Sequence, residues 1–248
     1  MIVTVGALKG GCGKTSTSFS LAIMEANRGR SVLVCDSDTN ENLYSLSLIR
    51  EQAIGDAGFG VVQNTGRDIK RQLLRQRDKW DTIIIDAGKE GCDTASLKSA
   101  LSISDVLLTP FTPRPLDIML LRETEEQHIQ EAIEDFGNTK LKCYSFISKA
   151  DSSGGSENRE TEAFLRGEEP QYYEFIGTVF ERKPVVKAQS GGLAITEYKD
   201  NSQKSSIDKG VFELMNLHSR VFNLEQEVAR SIKNPAPLKN CEQPKEIN

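Results

Sequence analysis

Two lysines enclose a run of glycines close to the start of the chain, in the stretch Lys9-Gly10-Gly11-Cys12-Gly13-Lys14-Thr15-Ser16. The backbone N–H groups of successive glycines can close around phosphate oxygens, and the dipole of a following helix favours the negative charge. In such a loop Lys14 can reach the β- and γ-phosphates of a nucleotide, and the Thr15 hydroxyl can bind Mg²⁺. Residues 9–16 are therefore predicted to bind the phosphates of a nucleotide together with Mg²⁺.

The residues on either side of this stretch predict the elements that hold it in place. Residues 2–8 form an apolar run that is typical of a buried strand, and residues 15–28 carry apolar side chains at helical spacing. An ordinary glycine-rich turn is the alternative interpretation. A strand before the loop and a helix after it favour the phosphate-binding interpretation.

The loop departs from the usual G-x-x-x-x-G-K-[ST] pattern, because Leu8 stands where the first glycine is expected and Lys9 follows it. The form K-G-G-x-G-K-[ST] resembles the deviant Walker A box of the ParA/MinD family of ATPases. The resemblance implies that Lys9 crosses the interface of an ATP-bound homodimer to the partner's nucleotide, as an arginine finger in trans would. The alternative is that Lys9 only solvates the loop.

Three carboxylates follow predicted strands. Asp36 and Asp38 follow residues 31–35, and Asp86 ends the run 80–86. Because ligands of open α/β sheets bind outside the carboxyl ends of the strands, these acids should share an edge with the loop. Asp86 looks like a Walker B aspartate, which holds Mg²⁺ directly or through water.

The family resemblance assigns further roles to the first two acids. It implies that Asp38 orients the attacking water and that Asp36 supports the Mg²⁺ ion, although short acidic pairs also cap turns. The expected catalytic residues are thus Lys9, Lys14 and Asp38, and the expected metal site is Thr15, Asp36, Asp38 and Asp86. The chain reads Asp38-Thr39-Asn40 where the family commonly has D-P-Q, which leaves the shape of the following loop open.

Two later segments extend the resemblance. Residues 109–117 are similar to the proline-rich passage that lies near the dimer face of ParA proteins. Residues 177–182 look like the last strand and adenine-side loop of the family. By this match Phe180, Glu181 and Lys149 are expected to border the base, with ordinary loop roles as the alternative.

Strand and helix signals alternate along the chain, which predicts an α/β fold: a single P-loop NTPase domain with a mostly parallel, twisted sheet and helices on both faces. Further strands are predicted at 105–109, 141–148 and 175–179, and helices at 67–79, 116–136 and 207–232, with a polar, glycine-punctuated region at 55–66. The ATPase domain is expected to span residues 1–232, followed by a polar and flexible tail, 233–248. A chain of 248 residues is long enough for one such domain and too short for two.

Composition excludes several classes of protein. No apolar stretch approaches the roughly 20 residues that span a bilayer, and Met1 leads directly into the first predicted strand, so we expect no signal peptide. The five cysteines are scattered without a C-x-x-C pair, which suits a reducing cytoplasm and argues against a zinc site. A net charge of −5 weakens any prediction of a broadly basic surface.

The resemblance implies a switch in which ATP closes a homodimer and slow hydrolysis, stimulated by an adaptor protein, releases it. The ParA branch binds DNA without sequence preference and positions a plasmid, a chromosome region or a protein cargo. The MinD branch instead binds membrane through a terminal amphipathic helix. Here the apolar stripe of the last predicted helix is typical of a core-packing face, and a polar tail follows. We therefore expect the ParA branch, no membrane binding, and a nucleoid-associated protein in the cytoplasm.

Two basic regions are candidates for DNA binding. Arg67, Arg71 and Arg75 recur every four residues and so share a helical face. Residues 183–239 carry more basic than acidic side chains, and Lys204, Lys209 and Arg220 are the candidates there. Phosphate contacts need such local patches, although a charged helix face is usually just solvated.

Two other functions remain open. A reductase similar to the nitrogenase iron protein would need two cysteines per subunit near the switch loops; Cys92 is suitably placed, but no second cysteine is. Small-molecule ligases built on the same loop are also possible, but Lys9 favours the switch.

Overall fold

The computed structural model describes residues 1–38, 40–64, 68–87, 94–114, 117–118, 128–152, 155–167 and 172–224. Seven strands form a single sheet: β1 (Ile2–Val5), β2 (Val32–Asp36), β3 (Gly60–Gln63), β4 (Thr82–Asp86), β5 (Val106–Phe111), β6 (Lys142–Ala150) and β7 (Tyr173–Phe180). The strand order is β3-β2-β4-β1-β5-β6-β7, and neighbouring strands are parallel throughout.

The helices of the described residues connect and cover these strands. They are α1 (Lys14–Asn27), α2 (Asn42–Ile54), α3 (Ile69–Leu74), α4 (Thr94–Leu101), α5 (Gln130–Glu134), α6 (Ser156–Gly167), α7 (Lys183–Ser190) and α8 (Lys204–Phe222). Short 3₁₀ helices stand at Arg77–Lys79 and Asn201–Gln203. None of the helices in the described part of the chain has the length and hydrophobicity that crossing a bilayer requires.

The central strands are buried on both faces, which is why they appear in the sequence as continuous apolar runs. One face of the sheet packs against α1 and α8 through a cluster that includes Val5, Phe19 and Leu214. Two further clusters bury the other face of the sheet. One includes Leu101 and Ile147, and the other includes Ile69 and Ile85. The predicted α/β fold with a parallel sheet covered on both faces is confirmed.

Several predicted boundaries are corrected. Strand β3 lies inside the polar, glycine-punctuated region 55–66, where no strand was predicted, because a short, half-exposed edge strand has little apolar signal. The helix predicted at 67–79 is shorter: α3 covers Ile69–Leu74, and a 3₁₀ helix follows at Arg77–Lys79. The last helix begins at Lys204 and ends at Phe222 rather than running over 207–232.

The end of α8 has a clear physical cause. Asn223 adopts the left-handed conformation with a φ of 57°, and the N–H of Leu224 donates to the Ser219 carbonyl at 2.7 Å. This arrangement caps the last carbonyls of the helix. Residues 116 and 119–127 of the helix predicted at 116–136 lie outside the described residues, and α5 covers Gln130–Glu134 within that range. Val228 and Ile232 of the last predicted helix and the predicted tail, 233–248, also lie outside the described residues.

Candidate functional site

The glycine-rich loop lies between β1 and α1, at the carboxyl edge of the sheet. Gly11 and Gly13 have φ angles of 77° and 96°, a backbone conformation that side chains with a Cβ rarely adopt. Gly13 immediately precedes α1, and no side chain caps the first turn of that helix. The N–H groups of this turn are therefore available to bind an anion.

Lys14 lies over this loop. Its side chain is buried, and its ammonium group donates to the Lys9 carbonyl at 2.8 Å. A positive charge held against the loop backbone is in place to neutralise phosphate oxygens that the loop would bind.

The end of strand β6 braces the loop from the other side. The Ser148 hydroxyl donates to the Cys12 carbonyl, and the Lys149 ammonium donates to the Gly11 carbonyl at 2.7 Å. Lys149 has a φ of 52°, so its backbone is in the left-handed region. The structure thus places Lys149 against the loop backbone, and Ser148 is a loop-supporting residue that sequence reasoning missed.

Asp86 meets the loop at the same edge of the sheet, in register with Val5 of β1 and Asp36 of β2. Its Oδ1 accepts a hydrogen bond from the Ser18 hydroxyl at 3.0 Å. Its Oδ2 is buried and has no hydrogen-bond partner in the described part of the chain. Burial raises the pKa of Asp86 to about 7, against the opposing effect of the Thr15 and Ser18 hydroxyls.

The carboxylate of Asp36 accepts hydrogen bonds from the backbone that follows it. Its Oδ1 accepts the Asp38 N–H at 3.1 Å, and its Oδ2 accepts those of Leu43 and Tyr44 at 3.1 and 3.0 Å. Burial raises the pKa of Asp36, although these three hydrogen bonds favour the charged form. Asp36 therefore holds the N-terminus of α2 and the loop between β2 and α2.

Asp38 lies in this loop with its side chain buried. Its Oδ1 accepts two hydrogen bonds from Asn40, one from the backbone N–H at 2.9 Å and one from the side-chain Nδ2 at 3.0 Å. The Asp38 carbonyl accepts the Glu41 N–H at 3.0 Å. The carboxylate is thereby held in one orientation.

The hydrogen bonds that Asp36 and Asp38 accept reduce the number of carboxylate oxygens that are available to bind Mg²⁺. Within the described ranges, no group of three or more His, Cys, Asp or Glu side chains is arranged to hold a metal ion. The unpartnered Asp86 Oδ2 is the oxygen that fits, with the Thr15 hydroxyl beside it. A small protein contribution suits Mg²⁺, which in nucleotide sites takes one or two carboxylates and completes its shell with phosphate and water.

Lys9 forms an ion pair with Asp117 of the same chain. Asp117 is buried, and its Oδ2 also accepts the Thr112 N–H at 2.8 Å and the Thr112 hydroxyl at 2.6 Å. Burial alone would raise the pKa of Asp117, but the hydrogen bonds from Lys9 and Thr112 outweigh it and lower the pKa. The sequence pointed to residues 109–117 as a segment near the dimer face, but it did not indicate this pair.

Two of the residues expected beside adenine, Phe180 and Glu181, lie at the end of β7. The Phe180 N–H donates to Glu213 of α8 at 3.1 Å, and the Arg182 guanidinium lies over the Phe180 ring at 5.4 Å from its centroid. Glu181 is exposed, and its N–H donates to the Ala150 carbonyl at 2.9 Å.

Ser16, which was predicted to contact the nucleotide, makes a reciprocal pair with Gln189 of α7. The Ser16 hydroxyl donates to Gln189 Oε1 at 3.0 Å, and Gln189 Nε2 donates to the Ser16 carbonyl at 3.3 Å. This pair fixes α7 to the start of α1. Gln189 had no signal in the sequence, because 173 residues separate the two partners.

The basic candidates divide into separate surfaces. Arg71 is exposed and pairs with Asp68 at 2.9 Å, Arg75 is exposed, and Arg67 lies outside the described residues. Arg220 pairs with Glu174 on β7. Lys204 and Arg220 stand at opposite ends of α8, about 24 Å apart at the helical rise, so they do not belong to one patch.

Lys183 and Lys187 of helix α7 lie beside the first half of α8. Arg182, just before α7, pairs with Glu213, and Lys187 lies 3.9 Å from Asp200, just before α8. The two helices therefore run side by side in opposite directions. This arrangement defines a surface, here called the α7/α8 surface, with the exposed residues Lys183, Val186, Lys187, Lys204, Lys209 and Phe212.

The cysteines of the described residues lack the setting of a cluster site. Cys12, Cys35 and Cys143 are buried. Burial raises the pKa of Cys12, and it raises that of Cys35 to about 12, which disfavours the thiolate that binds metal. Cys92 and Cys241 lie outside the described residues.

Comparison with known proteins gives a family match over most of the chain. The model of the CobQ/CobB/MinD/ParA nucleotide binding domain matches residues 3–223. The maintenance of carboxysome distribution protein A of Gloeobacter kilaueensis is 32% identical over 209 residues, which cover 84% of this chain and 89% of that protein. Protein ParA of Rhizobium radiobacter is 27% identical over 132 residues, which cover 50% of this chain and 58% of that protein.

Solved structures show the same fold. An ATP complex of Cyanothece McdA(D38A) superposes with a TM-score of 0.69 at 16% identity, covering 90% of this chain and 96% of that one. The septum site-determining protein MinD of Pyrococcus horikoshii, complexed with Mg-ADP, gives a TM-score of 0.65 at 19% identity, covering 92% of this chain and 98% of that one.

Proposed function

Because the chain belongs to the CobQ/CobB/MinD/ParA nucleotide-binding family, we propose that it is a Mg²⁺-dependent ATPase of the ParA type that works as a dimerising positioning switch. The observation that carries the proposal is the pairing of two features at one sheet edge. The loop of residues 9–16 ends in an uncapped helix N-terminus beside the buried Lys14 ammonium. Asp86 presents a buried carboxylate oxygen without a partner in the described part of the chain.

In this proposal the chain's residues divide the work of hydrolysis. The N–H groups at the start of α1 and the Lys14 ammonium bind the β- and γ-phosphates, and Asp86 Oδ2 and the Thr15 hydroxyl hold the metal ion. Mg²⁺, when bound, supplies positive charge against the phosphates. Asp38 accepts a hydrogen bond from the attacking water and orients it.

Dimerisation is proposed to depend on Lys9. In the structure its ammonium is paired with Asp117 of the same chain and keeps a quarter of its side-chain surface exposed, at 27%. Two subunits that meet over their nucleotides would let Lys9 exchange this carboxylate for phosphate oxygens of the partner's ATP. A cation supplied in trans offsets phosphate charge only in the dimer, which makes dimerisation depend on ATP.

The output is proposed to be binding of duplex DNA without sequence preference, through the α7/α8 surface. Lys183, Lys187, Lys204 and Lys209 are exposed there. Dimerisation doubles the number of these charges on one particle, so binding should be cooperative and fall steeply as salt rises. This surface is favoured over the arginines of α3, because Arg71 pairs with Asp68, whereas among these four lysines only Lys187 has an ion-pair partner in the described part of the chain, Asp200.

The cargo is proposed to be a protein assembly or a plasmid that an adaptor connects to the ATPase. Support comes from the relative in Gloeobacter kilaueensis, whose name assigns it to the distribution of carboxysomes, and from the ParA relative in Rhizobium radiobacter. An adaptor that accelerates hydrolysis would release the dimer from DNA wherever the cargo lies.

The test is a mobility-shift titration of random-sequence duplex DNA at two salt concentrations, with ATP, with ADP and without nucleotide. We expect a shift with ATP and Mg²⁺ only, weaker at the higher salt. If the ATP-bound protein ignores DNA but sediments with anionic vesicles, the protein is a membrane-bound positioning ATPase and the DNA output is wrong.

A further inference from the structure

The loop after β2 carries a shorter side-chain amide than the family pattern has at this position. Asn40 stands where the common form D-P-Q has glutamine, and its side chain is one methylene shorter. Its Nδ2 and its backbone N–H both donate to Oδ1 of Asp38, at 3.0 and 2.9 Å. Two donors on one oxygen fix the rotation of the carboxylate about its Cβ–Cγ bond.

The backbone of Asp38 is fixed independently. Its N–H donates to Asp36 Oδ1 at 3.1 Å, and its carbonyl accepts the Glu41 N–H at 3.0 Å. Asp36 therefore positions the Asp38 main chain, whereas Asn40 orients the Asp38 side chain. Both hydrogen bonds that the Asp38 carboxylate accepts in the described part of the chain go to Oδ1, so Oδ2 keeps its acceptor capacity.

We propose that Asn40 is a positioning residue for hydrolysis: its amide holds Oδ1 of Asp38 so that Oδ2 is left to accept a hydrogen bond from the attacking water. The inference rests on the proposed ATPase function and adds a residue to it. In the reaction the water oxygen bonds to the γ-phosphorus while the bond from phosphorus to the β,γ-bridging oxygen breaks. ATP and water give ADP, inorganic phosphate and a proton, and Asp38 is regenerated.

A role in folding alone fits the contacts less well. Asn40 is exposed, and its side-chain amide makes no other hydrogen bond within the part of the chain that the structure describes. The backbone hydrogen bond to Asp38 persists in any substitution except proline. Removing the amide should therefore free the carboxylate without unfolding the loop.

The experiment measures single-turnover hydrolysis at saturating ATP, together with the Kd for ATP and the Tm, in the full chain. Asn40→Ala is expected to slow hydrolysis about tenfold, the size of a lost hydrogen bond to a charged group. Asn40→Asp should be slower still, because it turns a donor into a second carboxylate beside Asp38. Asn40→Gln restores an amide and should recover part of the rate.

The matched control is Asn42→Ala, which removes another exposed amide two residues further on. This variant should hydrolyse ATP at the wild-type rate. In all variants the Kd for ATP and the Tm are expected to stay within twofold and about 2 °C of wild type, respectively, as is usual for surface changes.

The outcomes separate this inference from the proposed function. If wild type hydrolyses ATP and Asn40→Ala does so equally fast, or if its loss of rate follows a loss of ATP affinity or of Tm, Asn40 is not a positioning residue. If wild type neither binds nor hydrolyses ATP, the proposed function itself is wrong and the inference falls with it.

Discussion

The ammonium of Lys9 and the carboxylate of Asp117 form an ion pair within one chain, across a separation of 108 residues in the sequence. The carboxylate is buried, whereas the lysine keeps part of its side chain exposed. The glycine-rich loop is thereby joined to the segment after β5 through Lys9, for which we propose a role at the partner subunit's nucleotide. In the proposed dimer, the Asp117 carboxylate of the same chain and the nucleotide of the second subunit would compete for Lys9.

Weakening this competition should favour the dimer. Asp117→Asn removes the charge that holds Lys9 but keeps an oxygen that can accept from Thr112, so ATP-dependent dimerisation should strengthen severalfold, as for loss of a partly exposed ion pair. Sedimentation velocity with ATP over a range of protein concentrations measures the change. Lys9→Ala is the control and should bind ATP without dimerising. An Asp117→Asn protein that dimerises more weakly than wild type would show that the pair is needed for the dimer and does not oppose it.

Loss of Asp38 should have the opposite effect to loss of Lys9. Asp38→Ala leaves the loop of residues 9–16 intact but removes the carboxylate that orients water, so ATP should bind while its hydrolysis slows by about 10²-fold or more. The ATP-bound dimer then accumulates. Light scattering with ATP follows the dimer, and phosphate release follows turnover. Similar behaviour of Asp38→Ala and Lys9→Ala in both assays would contradict this division of roles.

Reversing charge on the α7/α8 surface should weaken DNA binding without changing ATP binding. The double variant Lys204→Glu with Lys209→Glu is expected to reduce DNA affinity and to lower the salt slope by about 0.9 for each DNA phosphate that is no longer neutralised. Arg220→Glu is the matched control, because Arg220 stands at the far end of α8 and is paired with Glu174. An equal decrease in DNA affinity per reversed charge in the control and in the double variant would show that the effect comes from net charge and not from this surface.

Acid should weaken the contact between α1 and α8. Glu25 accepts hydrogen bonds from Arg28 at 2.7 Å and from His218 at 2.8 Å, and from Thr82 of β4 at 3.2 Å. Burial alone would raise the pKa of Glu25, but the hydrogen bonds and charges of His218 and Arg28 outweigh it and lower the pKa. Because the pKa of Glu25 is lower in the folded state, the ionised carboxylate stabilises the fold at pH values above its unfolded-state pKa of about 4.3. This stabilisation is lost as the pH falls through the folded-state pKa.

Urea unfolding at pH 7 and near the unfolded-state pKa measures this contribution. Glu25→Gln should reduce the free energy of unfolding more at pH 7 than at the acidic pH, because only the carboxylate has the charge that favours its partners. Glu51→Gln, an exposed change on α2, serves as control. A difference between wild type and Glu25→Gln that does not depend on pH would contradict the assignment.

The sequence was most informative where one local pattern decides the structure. Strands β1, β2 and β4 are apolar at nearly every position because both of their faces are buried, and the glycines of the loop are spaced for a backbone with positive φ. Their ends place Asp36 and Asp86 in register at one edge, as expected from the order of parallel strands.

Other features depend on partners that are distant in the sequence or on weak periodicity. Helix α2 exposes the large apolar residues Tyr44, Leu48 and Ile49. Because apolar residues lie on its exposed face as well, the sequence shows no clear apolar stripe that would have predicted this helix. It is held instead by Arg50, whose guanidinium donates to both carboxylate oxygens of Glu197, at 2.8 and 2.9 Å. The pairs Ser16–Gln189 and Lys9–Asp117 likewise exist only because the sheet brings separate segments together.

The measurement that tests the central claim most directly is a calorimetric titration of ATP, in the presence of Mg²⁺, into wild type and Lys14→Ala. Lys14 is the buried cation of the loop, so we expect saturable binding by wild type and loss of binding by the variant, with circular dichroism showing that both are folded. Undiminished ATP affinity in a folded Lys14→Ala protein would contradict the assignment of residues 9–16 as the nucleotide site.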